Sequence, residues 1–569
     1  MQSVRWGCEF RLSLSVLVNF IGCQRLGDEM SGNQFDVVIV GAGFAGLYML
    51  HRVLATGRTA RVLEQASDVG GTWYWNRYPG ARCDAESLAY SYSFSSDLEQ
   101  EWTWSERYAQ QPEILAYARH VADRFDLRQH IDFDSRVASA DWDEALGSWV
   151  VKTGHNRMFR ASVCIMATGC LSVPRRPDIK GLEDFSGHFY QASQWPTEPV
   201  NFKDQRVGLI GTGSSGIQAV PVIASEAAEL TVFQRTPNFS VPAQNKVLDA
   251  EWVDAFKARY PEHRENHRQG VGSGFGDLAV LPQAGPIDPV LFESLTADQA
   301  RDILEAAWER GGARFMGAIG DTLMNPEANA FVQNFVHQKI KDIVDDPEIA
   351  AALCPSNHPI GTRRICVDSD YYATYNLPHV RLVNLLKDPI IQITEHGVEL
   401  QSEHVALDTL VIATGFDAMT GALLSMNITG SKGLTLAEAW SEGPKTYLGL
   451  MSCGFPNLFM ITGPGSPSVL SNMMVSIEQH VDFVMSCLEF MVDHQHQRVE
   501  PDPKSQSGWM EHVQEVANST LFPRGGSWYL GANVPGKPRV FMPYAAGVGP
   551  YRLACDAVAE ADFRGFEFA

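Results

Sequence analysis

The chain has 569 residues, too many for one typical domain, so two to four packed units are expected. Hydrophobic residues make up 45% and charged residues 20%, the balance of a globular protein that folds in water. The net charge of −22, from 45 basic and 67 acidic residues, argues against nucleic acid or an anionic membrane as the main partner, since both need basic surface.

Residues 1–29 read as an extension outside the fold. Leu12 to Gly22 is an apolar run of eleven residues behind Arg5 and Arg11, too short to span a bilayer and similar to a weak signal-peptide core. The stretch from Met30, MSGNQFDVVIVGAG, reads as the natural beginning. Phe35 to Val40 is continuously apolar and rich in β-branched residues, as the buried centre of a parallel sheet requires. Gly41, Gly43 and Gly46 follow in GxGxxG spacing. A helical pattern, AGLYMLHRVLATG, then runs to Gly57, and a second strand, ARVLEQ, carries Glu64, 23 residues after Gly41. The glycines permit a tight turn, close approach of backbone to a pyrophosphate, and close helix packing, and the acid suits ribose hydroxyls. Together they predict a dinucleotide site.

Gly70 to Asp84, GGTWYWNRYPGARCD, joins three aromatics and a Tyr-Pro-Gly turn to an Arg-Cys-Asp end. Flat aromatic faces suit the wall of a flavin site, and Asp84 is a candidate partner for a cation. VCIMATG (163–169) is another buried strand, repeated by VIATGFD (411–417), and such strands mark crossings between nucleotide-binding units. The connector Phe185–Pro196, FSGHFYQASQWP, shows no clean period of 2 or 3.6. A second nucleotide unit opens at Arg206. Gly211, Gly213 and Gly216 form its turn, with the hydroxyls of Thr212, Ser214 and Ser215. Counting 23 residues from Gly211 reaches Gln234, not an acid, and Arg235 follows. A carboxylate there would repel a 2′-phosphate, whereas an arginine pairs with it bidentately. The first site therefore fits FAD, and the second fits NADPH over NADH.

Residues 241–355 lose the glycine motifs and take helical periodicity, as in TADQARDILEAAWERGG and NAFVQNFVHQKIKDIV. Gly361 to Asn376, GTRRICVDSDYYATYN, carries two adjacent arginines, and spacing alone leaves open whether they form a surface pair or return to the nicotinamide site. Ile461 to Val481 is a glycine-proline loop followed by a helix, whose N-terminus can stabilise negative charge on a reduced flavin ring. The tail SWYLGANVPGKPRVFMPY carries a loop able to close over a site. The expected fold is α/β, with two dinucleotide-binding, Rossmann-like domains and an inserted helical subdomain. The FAD-binding domain takes 30–173 and 389–569, the NADP-binding domain 174–240 and 356–388, and the helical subdomain 241–355. The ten cysteines include no CxxC pair and read as reduced thiols in a reducing compartment, the cytoplasm. The missing CxxC also counts against a disulfide reductase.

These motifs resemble the type I Baeyer–Villiger monooxygenases, especially the phenylacetone and steroid monooxygenase branch, from about Met30 to the C-terminus. GGTWYWNRYPGARCD fits the pattern Gly-Gly-x-Trp, Tyr-Pro-Gly, Asp. FSGHFYQASQWP fits Phe-x-Gly-x-x-x-His-x-x-x-Trp-Pro at every fixed position but one, where Gln191 replaces the histidine. The resemblance implies that NADPH reduces FAD, that O2 adds to give a C4a-peroxyflavin, and that its anion attacks a ketone to give an ester or lactone. It assigns Arg364 as stabiliser of that anion and Asp84 as the residue that orients Arg364. It implies 2′-phosphate contacts at Arg235, Thr236 and Arg363, and places Trp528 near the bound NADP. It implies flavin contacts at Trp73, Asp84, Tyr90 and Met473, and a substrate wall at Ser468, Val469 and Leu470. Thr72, Arg82 and Gln218 complete the cofactor-binding set, and no metal is expected. The partners implied are a ketone and O2, with the chain a monomer or weak oligomer. Two other readings stand beside this one. Oxidation of sulfur or nitrogen needs the protonated peroxide, which Arg364 with Asp84 disfavours, and Trp195-Pro196 also speaks against it. An uncoupled NADPH oxidase or a flavoprotein sensor is the other, for which Gln191 leaves room.

Overall fold

Gln34–Val40 is the strand from which the first sheet is built. Its residues from Val37 to Ile39 are at most 1% exposed, because the strand pairs in parallel on both edges, with Ala60–Leu63 and with Met158–Met166. The computed structural model describes residues 33–270 and 290–569, so the extension at 1–29 lies outside the described residues. The first sheet orders its strands Asn427–Thr429, Val137–Asp143, Ser148–Thr153, Met158–Met166, Gln34–Val40, Ala60–Leu63 and Ile131–Asp132. Leu458–Met460 pairs beside Met158–Met166. The helix predicted after the first glycines is Phe44–Ala55, and Gly57 follows with φ of 78°.

The second sheet is parallel throughout, in the order Val380–Asn384, Glu229–Gln234, Arg206–Ile210, Thr409–Ile412 and His188–Gln191. Thr409–Ile412 pairs on both edges and is buried, so the second sheet draws on chain beyond residue 388. The aperiodic connector contributes the edge strand His188–Gln191, with Gln191 opposite Ile412. Ser214–Ala224 is the helix after the second glycines.

Helices fill much of 241–355, as the periodicity predicts. Ala297–Arg310 starts at a capping box of Thr296 and Gln299 and stops at Gly311, whose φ is 71°. This helix and Pro326–Ile343 bury Leu304 and Val336 in the core of the second sheet. Ala250–Lys257 and Tyr260–Arg268 instead bury Phe256 and Tyr260 in the core of the first sheet. Ser240–Pro242 pairs in parallel with Cys366–Asp368, so the chain leaves and re-enters this region at neighbouring strands. That pairing, a two-stranded sheet of its own, brings the stretch after the two adjacent arginines back beside the helix of the second glycine turn, where Cys366 meets Ser214. Among the described residues no helix is long and apolar enough to cross a membrane, and no cluster of side chains is suited to a metal.

Candidate functional site

Both glycine turns are shaped by contacts that exclude a side chain. A Cβ on Gly46 would lie 1.8 Å from the carbonyl oxygen of Gly41, and one on Gly216 would lie 2.1 Å from that of Gly211. A Cβ on Gly213 would meet nothing within 4 Å. Gly43 and Gly213 start their helices without a side-chain cap. The second turn thus combines helix-terminal amides with room for backbone approach, which is what a pyrophosphate requires, while at the first turn Gly43 packs against the backbone of Gly71. Glu64 stands beside the first turn, where its two oxygens accept from the amides of Ala42 (2.6 Å) and Ala66 (2.8 Å). Burial raises its pKa in spite of these bonds.

The loop from Gly70 abuts that turn: a Cβ on Gly71 would lie 2.9 Å from Cα of Gly43. Thr72 opens the short helix Thr72–Trp75. Trp73 is buried, and its indole donates to the Tyr90 hydroxyl at 3.1 Å. Met473 begins the helix Met473–Asp493, capped by the side chain of Asn472. Met473 packs with Val469, Leu470, Trp528 and Tyr529 in an apolar cluster.

Arg364 joins these parts. Its Nε and Nη2 donate to the two carboxylate oxygens of Asp84 at 2.6 and 2.7 Å, and its Nη1 donates to the Val469 carbonyl. The Asn238 amide holds the Arg364 carbonyl at 3.1 Å. Burial works against the charge on Arg364, but the Asp84 carboxylate outweighs it, and the guanidinium pKa is raised. Tyr529, fully buried, lies close enough to feel this cation, while its own burial pushes the phenol up to about 12. The result is one fixed, permanently charged group at the edge of an apolar cluster, which can stabilise negative charge on oxygen.

The neighbouring Arg363 turns elsewhere, donating to the carbonyls of Gly525 (2.9 Å) and Gly526 (3.4 Å). Burial and then the charge of Arg235 lower its pKa, so the two arginines sense one another. Thr212 donates from its hydroxyl to the Thr236 carbonyl at 2.9 Å, tying the second turn to the strand end that carries Arg235. The Ser214 hydroxyl sits 3.3 Å from the Cys366 sulfur. Ser215 neighbours the Tyr78 hydroxyl, whose pKa burial pushes up to about 12. Gln218 accepts from Tyr78 at 2.8 Å and donates to the Arg82 carbonyl at 3.1 Å, so it bridges the second glycine helix to the Gly70–Asp84 loop. The Arg82 guanidinium is ion-paired with Glu106 at 3.0 Å. Trp528 is half-buried, edge-on to Tyr529 with ring centres 4.4 Å apart. Sequence reasoning missed three groups at Arg364, one of them the Asn238 amide on its carbonyl. Tyr529 had a weak signal in its position beside Trp528, and the Val469 carbonyl, a main-chain acceptor, had none.

Two sheets, each with a central parallel strand that runs into a glycine turn, and a fixed cation held between their loops define an oxidoreductase of the two-nucleotide flavoprotein class. Residues 38–257 match the family model described as pyridine nucleotide-disulphide oxidoreductase. The sequence has no CxxC pair within or outside that match. A Baeyer–Villiger monooxygenase from Pseudooceanicola batsensis is 39% identical over 93% of this chain and 95% of its own. A phenazine N-monooxygenase from Lysobacter antibioticus is 37% identical over 94% of this chain and 96% of its own. The solved structure of an oxidized steroid monooxygenase bound to NADP superposes with a TM-score of 0.89 at 46% identity, covering 94% of this chain and 99% of that one. The chain belongs to the Baeyer–Villiger monooxygenase family, as an NADPH-dependent flavin monooxygenase with FAD and NADP as its cofactors.

Proposed function

We propose that the chain inserts one oxygen atom of O2 beside the carbonyl of a ketone, giving an ester or lactone, with NADPH as electron source. The observation that carries this reading is the two-pronged Arg364–Asp84 pair at the edge of the apolar cluster around Val469. FAD, when bound, supplies the route by which electrons from NADPH reach O2. Arg364 stays protonated throughout, so it acts by charge and not by proton transfer, favouring deprotonated oxygen at the reacting centre. Asp84 fixes where that charge points. Ser468, Val469 and Leu470 form the wall against which the ketone is held. Glu64, Thr72, Trp73, Tyr90 and Met473 bind FAD. The second turn, with Gln218, Arg235, Thr236, Arg363 and Trp528, binds NADPH. The Arg82 backbone positions Gln218, which in turn holds the Tyr78 hydroxyl. The cysteines, read as reduced thiols, suit a cytoplasmic enzyme. A monomer or weak oligomer suits the strong negative charge.

The test is oxygen-dependent NADPH oxidation by the purified holoenzyme with phenylacetone, cyclohexanone, a long 2-alkanone and a steroid ketone, with products identified by mass. The expected result is a ketone gaining one oxygen as ester or lactone with little peroxide. NADPH loss to peroxide with every ketone unchanged refutes the proposal. A second reading, oxidation of an aromatic nitrogen, is favoured by the phenazine N-monooxygenase relative. An N-oxide formed from a phenazine, with no ester from any ketone, would establish it instead.

A further inference from the structure

Arg175 and Arg176 are adjacent, yet the structure treats them differently. Arg176 is exposed and ion-paired with Glu183 at 2.6 Å. Arg175 is half-buried, and among the described residues no carboxylate lies within ion-pair distance of it. The same holds for Arg235 and for Arg363, and the two carbonyl contacts of Arg363 bring no negative charge.

The backbone of Arg175 is pinned. Its amide donates to the Gly415 carbonyl at 2.8 Å, and its carbonyl accepts from the Thr414 hydroxyl at 2.8 Å. Thr414 and Gly415 lie just past the carboxyl end of the strand Thr409–Ile412, which packs on the second glycine turn: a Cβ on Gly211 would lie 2.4 Å from the Ala413 carbonyl oxygen. In the second sheet Thr409–Ile412 and Glu229–Gln234 flank Arg206–Ile210 on opposite edges. Arg175 stands past the end of the first flanking strand and Arg235 past the end of the second. The glycine turn leaves from the strand between them. A crevice at the carboxyl ends of parallel strands is where such sheets bind ligands. Burial and then the charge of Arg235 lower the pKa of Arg175, as the same two causes do for Arg363. Both arginines thus feel the charge of Arg235, and three cations grouped at the carboxyl ends of adjacent parallel strands with no carboxylate paired to them favour an anion there.

We propose that Arg175 is a third cation of the pocket for the 2′-phosphate of NADPH and helps to set preference for NADPH over NADH. This rests on the reading that Arg235 and Arg363 hold that phosphate. A charge-assisted contact to a half-buried dianion is worth about tenfold in affinity.

The experiment is steady-state kinetics of the full-length holoenzyme and its Arg175→Gln, Arg176→Gln and Arg235→Gln variants with NADPH and with NADH. Inhibition by adenosine 2′,5′-bisphosphate and by 5′-AMP is measured alongside. Arg175→Gln should raise KM for NADPH by about tenfold and weaken the bisphosphate equally. Its kcat, its KM for NADH and its inhibition by 5′-AMP should stay within about twofold, which also shows that the variant is folded. Arg176→Gln should match the parent. A KM for NADPH within about twofold of the parent in Arg175→Gln overturns the proposal, as does an equal rise for both nucleotides, which would place Arg175 at the adenine. If Arg235→Gln loses discrimination while Arg175→Gln keeps it, only the third cation fails. If neither variant changes discrimination, the phosphate pocket itself is misassigned.

Discussion

Replacing Arg364 with lysine separates charge from geometry at the proposed reacting centre. Arginine spends three nitrogens there: two on Asp84 and one on the Val469 carbonyl. Lysine keeps the charge but has one nitrogen on a flexible stem, so it cannot hold the planar fork against Asp84 and reach Val469 as well. Removing one preorganised donor beside developing negative charge costs about 10²–10³ in rate. With the charge retained, the lower end applies, about 100-fold or ~2.7 kcal/mol of barrier. The side chains of Arg364 and Asp84 are 24% and 19% exposed, so the pair lies between a surface ion pair and a fully buried one. Its loss should cost about 1–3 kcal/mol of stability, leaving a folded protein. The assay follows ester formed and NADPH consumed in the same vessel. Ester per NADPH should collapse while flavin reduction, followed anaerobically, changes far less. If Arg364→Lys forms ester at a rate within about threefold of the parent, oriented charge at this position is not what drives oxygen transfer.

The two glycines of the second turn should fail differently. Gly216→Ala forces a Cβ into the Gly211 carbonyl and should unfold the turn, seen as loss of soluble protein or of bound flavin. Gly213→Ala meets open space and should give folded protein with a raised KM for NADPH. Equal yields and equal KM for the two would remove the turn from the nucleotide site. Burial pulls the His480 imidazole down to about 3, with Nδ1 accepting from the Thr462 amide at 2.8 Å. The native value lies below the ordinary one, so the unfolded chain binds the extra proton. Stability should therefore fall as pH drops from 6.5 toward 3, by about 1.4 kcal/mol per pH unit for each such proton. Buried His267 and His358, also pulled down to about 3, act with the same sign. Asp368, pushed up to about 6 by burial, acts oppositely from pH 6 down to 3.8. Urea midpoints against pH should show a slope reduced by one proton in His480→Gln, and an unchanged slope would contradict the buried neutral form. Gln191 sits on the edge strand beside Ile412 and cannot take a charge. Gln191→His should change the pH profile of coupling and the share of NADPH lost to peroxide. If neither moves, the residue is a passive part of the edge strand.

Both nucleotide units were legible because their signal is local. Gly41 to Glu64 and Gly211 to Arg235 each place turn, helix and strand end within one short stretch, where steric rules act on neighbours in sequence. The helices at Ala297–Arg310 and Pro326–Ile343 were legible for the same reason. The Arg364–Asp84 pair was not derivable from spacing, since 280 residues separate its partners. It came from a resemblance and gained its geometry only in three dimensions. Arg175 and Arg176 are alike in sequence, and only the placement of Glu183 and of Gly415 distinguishes them. The strand Thr409–Ile412 reads as a buried strand, but which sheet it joins depends on its two neighbours, one of which lies in the aperiodic connector.

The adjacency of Arg363 and Arg364 carries a consequence for how the two cofactor sites act together. Arg363 reaches the Gly525–Gly526 carbonyls and feels the charge of Arg235, while Arg364 crosses to Asp84. Only the bonds between them separate the proposed phosphate contact from the proposed reacting-centre cation. The strand that follows, Cys366–Asp368, is locked in register to Ser240–Pro242, and Thr362 before the pair is buried with its hydroxyl donating to the Pro359 carbonyl, so the pair is anchored on both sides. A nucleotide that drew Arg363 toward its phosphate would move the backbone of Arg364, whose fork tolerates little displacement from Asp84. Gln218, on the helix after the second glycine turn, is bonded to Tyr78 and to the Arg82 carbonyl, which ties that helix to the loop that carries Asp84. Under the proposed assignment, the residue that reads the nucleotide and the residue that stabilises the oxyanion are neighbours in the chain, and occupancy of the nucleotide site and alignment of the oxygen-transfer site would be parts of a single geometric condition.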